Sequence, residues 1–381
     1  MLELWTPDDA FARIEEHLRD HGFFGGGAQG VVADLYLGYG LSRTMRRADW
    51  PDPPEPCPLP LAAVRVRPAD EPDVEREAEV PTEPDGRPSA GPGAPARSVH
   101  PAIPIGPWTR TWDDAGYAAA IHAARAAIAA GEVYQVNLVQ HLSAPTAIDP
   151  ATGARAIAKA LAPLRPRHPR PLIGDGWAIV SASPELFLAR EGDRLWTMPI
   201  KGTRPAGWSG DALRDSPKDA AEHVMIVDLE RNDLGRVCRP GTVRWPELMA
   251  ARAMAGVVHL VSVVEGEARP DLRLAELLAA LFPGGSVTGA PKIAAIDRIA
   301  ALEPVGRGAS MGALGTVHPN GDLDLALTIR TFALAAGRIH LWVGGGIVWD
   351  SDPAAEIEES WVKARPLLDA IGAPLQEVVP A

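Results

Sequence analysis

The segment Arg338-Ile-His-Leu-Trp-Val-Gly-Gly-Gly-Ile-Val-Trp-Asp-Ser-Asp-Pro353 combines three signals in a short stretch. The residues up to Val343 predict a β-strand, because apolar side chains recur in a short run without helix breakers. The three glycines Gly344, Gly345 and Gly346 expose the backbone, either in a plain bulge or where a ligand approaches closely. From 354 to 370 the pattern is helical. The segment therefore predicts a strand, a glycine-rich connection and a helix.

The rest of the chain repeats these elements in irregular order. Further helices are indicated near 114–130, 212–229, 272–281 and 290–301. Further strands are indicated at 31–39, 134–142, 176–182, 184–190, 257–264 and 324–332. Runs of neighbouring strands with helices between them predict an α+β layered domain.

Proline usage divides the chain into three parts. Residues 51–107 hold 16 of the 38 prolines and an acidic run from Asp70 to Glu79, with few large apolar side chains. Such a stretch buries too little surface to offset its conformational entropy, so we predict a linker or mobile excursion. Residues 1–50 are then an amino-terminal segment of helix and strands, and residues 108–375 form the main domain.

Composition excludes several functional classes. The 381 residues are 46% apolar and 23% charged, as in an ordinary globular protein, and no apolar run approaches the roughly 20 residues that a bilayer requires. With no basic secretory signal at the start, we expect a cytoplasmic protein without a membrane partner. The net charge of −12 argues against a nucleic-acid partner. Cys57 and Cys238 alone provide neither a disulfide framework nor a zinc cluster.

Two pairs of acids have helical spacing. Glu356, Glu359 and Lys363 follow i, i+3, i+7 and share a helix face, and Asp219 and Glu222 repeat the i, i+3 pair. Each pair alone is typical of a solvated helix face. If the two pairs converge, the four carboxylates repel one another unless a cation lies between them. Hard oxygen ligands then favour Mg²⁺.

Four other residues are candidates for a site. Lys201 lies in the turn-like run Thr197-Met-Pro-Ile-Lys-Gly-Thr-Arg-Pro205 instead of on a solvated helix face. His259 lies in an apolar strand, where a hydrogen-bonded core histidine is the alternative. Ser286 belongs to a glycine-rich turn at a helix start, which offers hydroxyl and N–H groups to an anion. Arg330, at the end of a strand, could hold a carboxylate with two hydrogen bonds.

Several of these segments, in this order, resemble a known family. From about 109 to 372 the chain is similar to the chorismate-utilising enzymes, which include anthranilate, aminodeoxychorismate, isochorismate and salicylate synthases. The matching segments are 197–205, 219–233, 257–261, 284–292 and 344–363. The resemblance implies two packed antiparallel β-sheets flanked by helices, with a buried site for chorismate and Mg²⁺.

The resemblance also implies a role for each candidate. Glu222 and Glu359 match direct Mg²⁺ ligands, and Asp219 and Glu356 match residues that hold metal-bound water. Glu185 matches the acid near the C4 hydroxyl of chorismate, and His259 matches a catalytic histidine near C2. The remaining substrate and metal-shell contacts match Thr203, Ser286, Arg330, Gly344, Gly345, Gly346 and Lys363.

Two positions separate the branches of the family. Water-adding members resemble one another in having a lysine where this chain has Gln135, and an amide has no useful basicity for activating water. Anthranilate synthases typically have alanine where this chain has Lys201, whereas aminodeoxychorismate synthases have lysine. The resemblance therefore favours an aminodeoxychorismate synthase component I, the synthase subunit of para-aminobenzoate and folate biosynthesis. An anthranilate synthase and a non-catalytic chorismate-binding relative remain the alternatives.

The implied chemistry needs a free lysine amine and a source of ammonia. Lys201 would add at C2 while the C4 hydroxyl departs with help from Glu185, and ammonia would then replace the lysine. Because the ordinary pKa of lysine is about 10.4, we expect burial or nearby positive charge to lower it. Neither cysteine lies in a Gly-x-Cys-x-Gly context, so we expect a separate glutaminase subunit to supply ammonia.

Overall fold

The computed structural model describes residues 1–71, 103–205, 217–254, 257–373 and 379–380, and within these ranges the side chains of 202–205, 217–219, 253–254, 257–259 and 379–380 are outside the description. The helices are α1 (Ala10–Asp20), α2 (Asp114–Ala129), α3 (Pro150–Leu161), α4 (Pro217–Gly235), α5 (Leu274–Leu281), α6 (Lys292–Leu302) and α7 (Pro353–Ala370). The strands are β1 (Leu2–Leu4), β2 (Val31–Leu37), β3 (Ala62–Pro68), β4 (Thr109–Arg110), β5 (Gln135–Pro145), β6 (Leu172–Ile173), β7 (Trp177–Ser181), β8 (Leu186–Glu191), β9 (Arg194–Met198), β10 (Ile200–Pro205), β11 (Arg244–Met254), β12 (Val257–Glu267), β13 (Gly289–Ala290), β14 (Ala313–Val317), β15 (Leu323–Leu327), β16 (Thr331–Ala335), β17 (Arg338–Ile347) and β18 (Val379–Pro380).

The described strands form two sheets. Sheet I has ten strands in the order β1-β3-β2-β14-β15-β8-β9-β12-β10, with β11 also paired to β12. Sheet II has eight strands in the order β18-β4-β5-β17-β16-β7-β6, with β13 also paired to β5. All pairs are antiparallel except β18 with β4. The predicted fold class, two antiparallel sheets with helices, is confirmed.

One hydrophobic core joins the sheets. Leu35 and Val264 of sheet I belong to the same buried cluster as Leu138 and Ile179 of sheet II. Each such aliphatic side chain contributes on the order of 1.5–3 kcal/mol when it leaves water. Since the sheets are held by shared apolar contacts, polar side chains from both sheets can be enclosed between them.

A second cluster covers the other face of sheet II. Leu142, Phe332 and Leu341 of the sheet pack there with Ile157 of α3 and Leu367 of α7. The helix α7 therefore lies against β17, the strand that precedes it in the chain. This short connection brings the acidic residues of α7 to the glycines of β17.

The predicted linker contains a strand. Residues 62–68 form β3, which pairs with β1 and β2, and Ala62, Ala63 and Val64 are fully buried. The linker prediction is therefore wrong for this stretch. The prolines on either side dominate the composition of the whole stretch, so the short strand, which begins with small apolar side chains, was not recognised. In the fold, β1 pairs with one edge of this strand and β2 with the other. Residues 72–102 of the predicted linker lie outside the described residues.

The helices and strands that the sequence pattern indicates otherwise correspond to elements of the structure, whereas α3, β9, β11 and β14 were not predicted. The helices indicated at 272–281, 290–301 and 354–370 correspond to α5, α6 and α7 within about two residues. Among the helices that the structure describes, none has both the length and the apolar character needed to cross a membrane.

Candidate functional site

The glycine segment of β17 lies directly against β5. Gly344 pairs with Val139, and Gly346 pairs with Asn137. A Cβ atom on Gly344 would lie 1.9 Å from the carbonyl oxygen of Leu138, and one on Gly346 would lie 2.0 Å from Gln135 Nε2. The first distance leaves no room for a side chain, because the neighbour is a backbone atom, so glycine is required at 344. At 346 a side chain would displace Gln135 and Glu222 from their positions in the site.

Three site residues from separate elements meet at one carboxylate oxygen. Lys201 Nζ of β10 donates to Glu222 Oε1 of α4 at 2.8 Å. Gln135 Nε2 of β5 donates to the same oxygen at 3.1 Å. Because β10 belongs to sheet I and β5 to sheet II, the contact joins the two sheets. The predicted nucleophile, the branch-determining amide and a predicted metal ligand are thus brought together.

The charge of Lys201 is set by its carboxylate neighbours. Burial lowers the pKa of Lys201, but Glu222 and then Glu185 and Glu359 raise it, and the net effect is a pKa above the ordinary value. The amine is therefore protonated at neutral pH in this arrangement. This is the opposite of the lowered pKa expected from the sequence, because Glu222 is a direct ion-pair partner.

Glu185 lies close enough to Lys201 for each to affect the charge of the other. Its Oε1 accepts hydrogen bonds from Ser286 Oγ at 2.9 Å and from the Ile200 N–H at 3.4 Å. Burial raises the pKa of Glu185, although Lys201 opposes the rise. A carboxyl group with a raised pKa, held beside a lysine, is suited to donate a proton to a leaving hydroxyl.

Arg330 lies close enough to Glu185 for the two charges to affect each other. Burial lowers the pKa of the Arg330 guanidinium, and the negative charge of Glu185 opposes this effect. Its backbone has φ of 51°, in the left-handed region that a non-glycine residue rarely adopts. Such strain is typical of functional sites, where surrounding structure holds a residue in place.

The acidic face of α7 approaches the glycines of β17. The helix begins at Pro353, after Asp352 caps the Ala355 N–H. Lys363 Nζ lies 2.7 Å from Glu359 Oε1 and donates to the carbonyl oxygen of Gly344 at 2.7 Å.

Glu356 is buried beside the same strand. A Cβ atom on Gly345 would lie 3.4 Å from Glu359 Oε1 and 3.5 Å from Glu356 Oε2. The two acids of α7 therefore lie next to the glycine segment whose other side contacts Gln135 and Glu222.

Three predicted site residues have side chains outside the description. The backbone of Thr203 pairs with that of His259 between β10 and β12. Asp219 lies in the first turn of α4, one helical turn before Glu222. These backbone positions are near the described site, and the roles of the three side chains stay predictions.

The described acids have the donor chemistry of a Mg²⁺ site. Glu222, Glu356 and Glu359 offer hard carboxylate oxygens beside one glycine segment. Two of them hold lysine ammonium groups, and among the described side chains no group of three or more acidic, histidine or cysteine residues is placed so that it could hold a metal ion. The donor set fits Mg²⁺ if the lysines give up these carboxylates.

Residues that sequence reasoning missed hold the turn around Ser286. Glu230 Oε1 accepts from the Gly285 N–H at 3.2 Å, and Lys292 Nζ donates to Asp233 and to the carbonyl oxygen of Leu281. Burial, and next Asp233, raise the pKa of Glu230 to about 8. The acids Glu230 and Asp233 are recognisable in the sequence, but the sequence does not show that they lie next to the turn at Ser286.

His223 was also missed. It follows Glu222 on α4, is fully buried, and its Nε2 lies 2.5 Å from Ser262 Oγ. Burial, with a smaller effect of Lys201, lowers the pKa of His223 to about 4. The imidazole is therefore neutral at pH 7.

Comparisons with known proteins identify a family for most of the chain. A family described as "chorismate binding enzyme" matches residues 61–369. Anthranilate synthase component 1 of Streptomyces coelicolor is 41% identical over 276 residues, which cover 69% of this chain and 53% of that protein. Aminodeoxychorismate synthase component 1 of Klebsiella aerogenes is 44% identical over 246 residues, covering 62% and 54%. The chain thus spans about half the length of the curated relatives it matches.

Solved structures share the fold. Anthranilate synthase component I from Streptococcus pneumoniae superposes with a TM-score of 0.72 at 25% identity, covering 92% of this chain and 84% of that one. A 2,3-dihydroxybenzoate-specific isochorismate synthase from Bacillus anthracis superposes with a TM-score of 0.70 at 22% identity, covering 98% and 91%. The second likeness concerns the fold alone.

Proposed function

The chain belongs to the chorismate-binding enzyme family, and from this membership we propose that it aminates chorismate at C4 to give 4-amino-4-deoxychorismate. Relatives of two kinds, anthranilate synthases and aminodeoxychorismate synthases, are similar to it at 41–44% identity. The choice between them rests on this chain's own residues.

The contact between Lys201 and Glu222 supports this proposal more than any other observation. It puts a primary amine in the described site, with Glu185 close enough to affect its charge. A lysine can serve as a nucleophile there, as an alanine cannot. Gln135 argues against water as the incoming nucleophile, because its amide cannot act as a base.

The proposed reaction has two substitutions. The neutral Lys201 amine forms a bond to C2, the ring double bonds shift, and the C4–oxygen bond breaks. Glu185 gives its proton to the departing hydroxyl, which leaves as water. Ammonia then forms a bond to C4, the double bonds shift back, and the C2–nitrogen bond breaks to release Lys201. Lys201 must lose its ammonium proton before it attacks C2. In the second half the Lys201 nitrogen leaves as the neutral amine, and the ammonium group formed at C4 returns a proton to Glu185.

The ion pair with Glu222 explains how the amine could be controlled. While Glu222 holds Lys201, its negative charge raises the pKa and prevents attack. Any ligand that takes the Glu222 carboxylate leaves Lys201 in a buried position, which lowers the pKa. Binding of substrate would thereby be coupled to activation of the nucleophile.

We assign a Mg²⁺ site to the four acids. Glu222 and Glu359 would be direct ligands, and Asp219 and Glu356 would hold bound water. When bound, Mg²⁺ would neutralise the substrate carboxylate and act as a Lewis acid. Lys363, released from Glu359, would remain bonded to the Gly344 carbonyl oxygen and fix the end of the glycine segment.

We propose that a separate glutaminase subunit supplies the ammonia. The chain's two cysteines, Cys57 and Cys238, are both buried and free, and burial raises the pKa of each thiol. Neither thiol suits a glutaminase nucleophile, which needs a lowered pKa. Ammonium salts should therefore replace the partner in a reaction with purified protein.

Anthranilate synthesis is the second candidate, favoured by the similarity to anthranilate synthases. That reaction places ammonia at C2 and eliminates pyruvate, so it has no need for a lysine at C2. Lys201 would then be only an ion-pair partner of Glu222.

Product analysis tests the proposal. Purified protein is mixed with chorismate, MgCl₂ and ammonium at pH 8, and products are identified by mass spectrometry and anthranilate fluorescence. We expect 4-amino-4-deoxychorismate, a requirement for Mg²⁺, and loss of at least about 100-fold in kcat for Lys201→Ala. Lys159→Ala, on the exposed side of α3, is the matched control. Anthranilate as the product, or unchanged kinetics in Lys201→Ala, would reject the proposal.

A further inference from the structure

Ser262 of β12 lies where three other segments meet. Its N–H donates to the carbonyl oxygen of Pro199 at 3.2 Å. Its Oγ accepts from the Met249 N–H of β11 at 2.9 Å and lies 2.5 Å from His223 Nε2 of α4. Ser262 and His223 are both fully buried. One serine therefore joins β11, α4 and the residue that precedes β10.

The segments joined by Ser262 carry the key site residues. Pro199 is followed by Ile200, whose N–H donates to Glu185, and then by Lys201. His223 directly follows Glu222 on α4. A shift of the chain at Pro199 moves Lys201, and a rotation of α4 at His223 moves Glu222.

The register of the strands makes these positions sensitive. The β10–β12 ladder has an irregularity just after Lys201. The β11–β12 ladder shifts between Glu247 and Ala250, where Met249 has φ of 52°. Strand pairing alone therefore leaves the register less constrained beside the site. Hydrogen bonds to Ser262 add a constraint at this place.

We propose that His223 and Ser262 are positioning residues that hold Lys201 at hydrogen-bond distance from Glu222. The hydrogen bond between His223 Nε2 and Ser262 Oγ links α4 to β12 whichever atom carries the proton. A buried imidazole and hydroxyl lose their hydration and keep their place only through such partners. The catalytic consequence rests on the proposed function, whereas the structural link does not.

Four variants test this role. Ser262→Ala and His223→Leu remove the link, and His223→Gln keeps a hydrogen-bonding group near the position of Nε2. His340→Leu is the control, because it removes a buried histidine that is hydrogen-bonded to His141 elsewhere in sheet II.

We expect kcat with chorismate to fall by about 10- to 100-fold in Ser262→Ala and His223→Leu, since small displacements of a reacting group have effects of this size. The KM for chorismate should change less than about threefold, because the link does not touch the substrate. His223→Gln should recover most of the loss. His340→Leu should lower Tm but keep kcat within about twofold of the wild type.

Hydrogen exchange of the peptide covering 199–205 provides a readout that does not depend on the reaction. It should be faster in Ser262→Ala and His223→Leu but unchanged in His340→Leu. The inference is overturned if exchange there is unchanged, if kcat is unaffected in an active enzyme, or if His223→Gln is as impaired as His223→Leu. If the wild type does not convert chorismate, the proposed function fails and the exchange result alone decides this inference.

Discussion

Lys201 Nζ lies 2.8 Å from Glu222 Oε1, so the proposed nucleophile is paired with a proposed metal ligand. The side chains are 14% and 15% exposed, which shields the pair from most of the solvent. Such a pair keeps the lysine protonated and the carboxylate occupied until another group competes for one of them. The pair therefore has the properties of a resting state.

Removing the charge of Glu222 should change the protonation of Lys201 and the proposed metal site in ways that can be measured separately. In Glu222→Gln, burial acts on Lys201 without its main opposing charge, so the pKa of Lys201 should fall. We expect labelling of Lys201 by acetic anhydride at pH 8 to rise by about tenfold, while chorismate turnover falls by at least about 100-fold. Mass spectrometry of the labelled peptides measures the first effect, with exposed Lys159 as the internal reference. Labelling equal to the wild type would contradict the assigned ion pair.

The three glycines of β17 should respond differently to alanine. In Gly344→Ala the new Cβ would meet the Leu138 carbonyl oxygen at 1.9 Å, and a backbone atom cannot move aside cheaply. We expect a loss of about 3 kcal/mol in unfolding free energy, measured by urea denaturation. In Gly345→Ala the nearest atoms lie 3.4 Å away, an ordinary contact, so stability should stay within about 0.5 kcal/mol of the wild type.

Gly346→Ala should affect the site more than stability. Its Cβ would lie 2.0 Å from Gln135 Nε2 and 2.9 Å from Glu222 Oε1, and both are side-chain ends that can move. We expect kcat/KM for chorismate to fall by about 10- to 100-fold with a stability loss of only about 1 kcal/mol. Equal stability losses at Gly344 and Gly346 would contradict this distinction.

Local strand and helix signals predicted an α+β layered domain. The motifs, which occur in a fixed order, indicated the family, and the resemblance to that family implied the two antiparallel sheets. They could not predict that Lys201 and Gln135 share one oxygen of Glu222, since the three residues lie on elements that meet only through long-range packing. Helical spacing identified the acidic face of α7, but not that Lys363 neutralises Glu359. The strand β3 was not predicted, because the composition of residues 51–107 is dominated by the prolines around it.

The raised pKa of Glu230 predicts a pH-dependent stability. Burial raises it to about 8, whereas an ordinary glutamate has 4.5, so between these values the folded state holds a proton that the unfolded state has lost. Stability should therefore fall as pH rises from about 5 to 8 and become less dependent on this group above 8. In Glu230→Gln the amide oxygen can still accept the Gly285 N–H without a charge. We expect its Tm to exceed that of the wild type at pH 8, and the difference to shrink towards pH 5. Parallel Tm profiles for the two proteins would contradict the assignment.

Removing one partner of the buried pair of Arg307 and Glu303 should destabilise the protein, unlike the substitution of Glu230. Arg307 donates to both Glu303 oxygens and to the carbonyl oxygens of Val287 and Asn137, and both charged side chains are 2% exposed. In Arg307→Leu the carboxylate keeps only the Val139 N–H as a described partner. Breaking one side of such a pair costs about 3–5 kcal/mol, because an uncompensated charge remains buried.

A double variant without either charge tests whether the loss in Arg307→Leu comes from the unpaired carboxylate of Glu303. Arg307→Leu with Glu303→Leu removes both charges, so it should recover part of the stability lost in Arg307→Leu, although the backbone groups that the pair satisfied lose their partners. Urea denaturation of the two single variants and the double variant measures the coupling. If the losses of the two single variants add up to the loss of the double variant, the pair contributes nothing beyond packing. The bridge from Asn137 of β5 to the turn at Val287 would then need another source of stability.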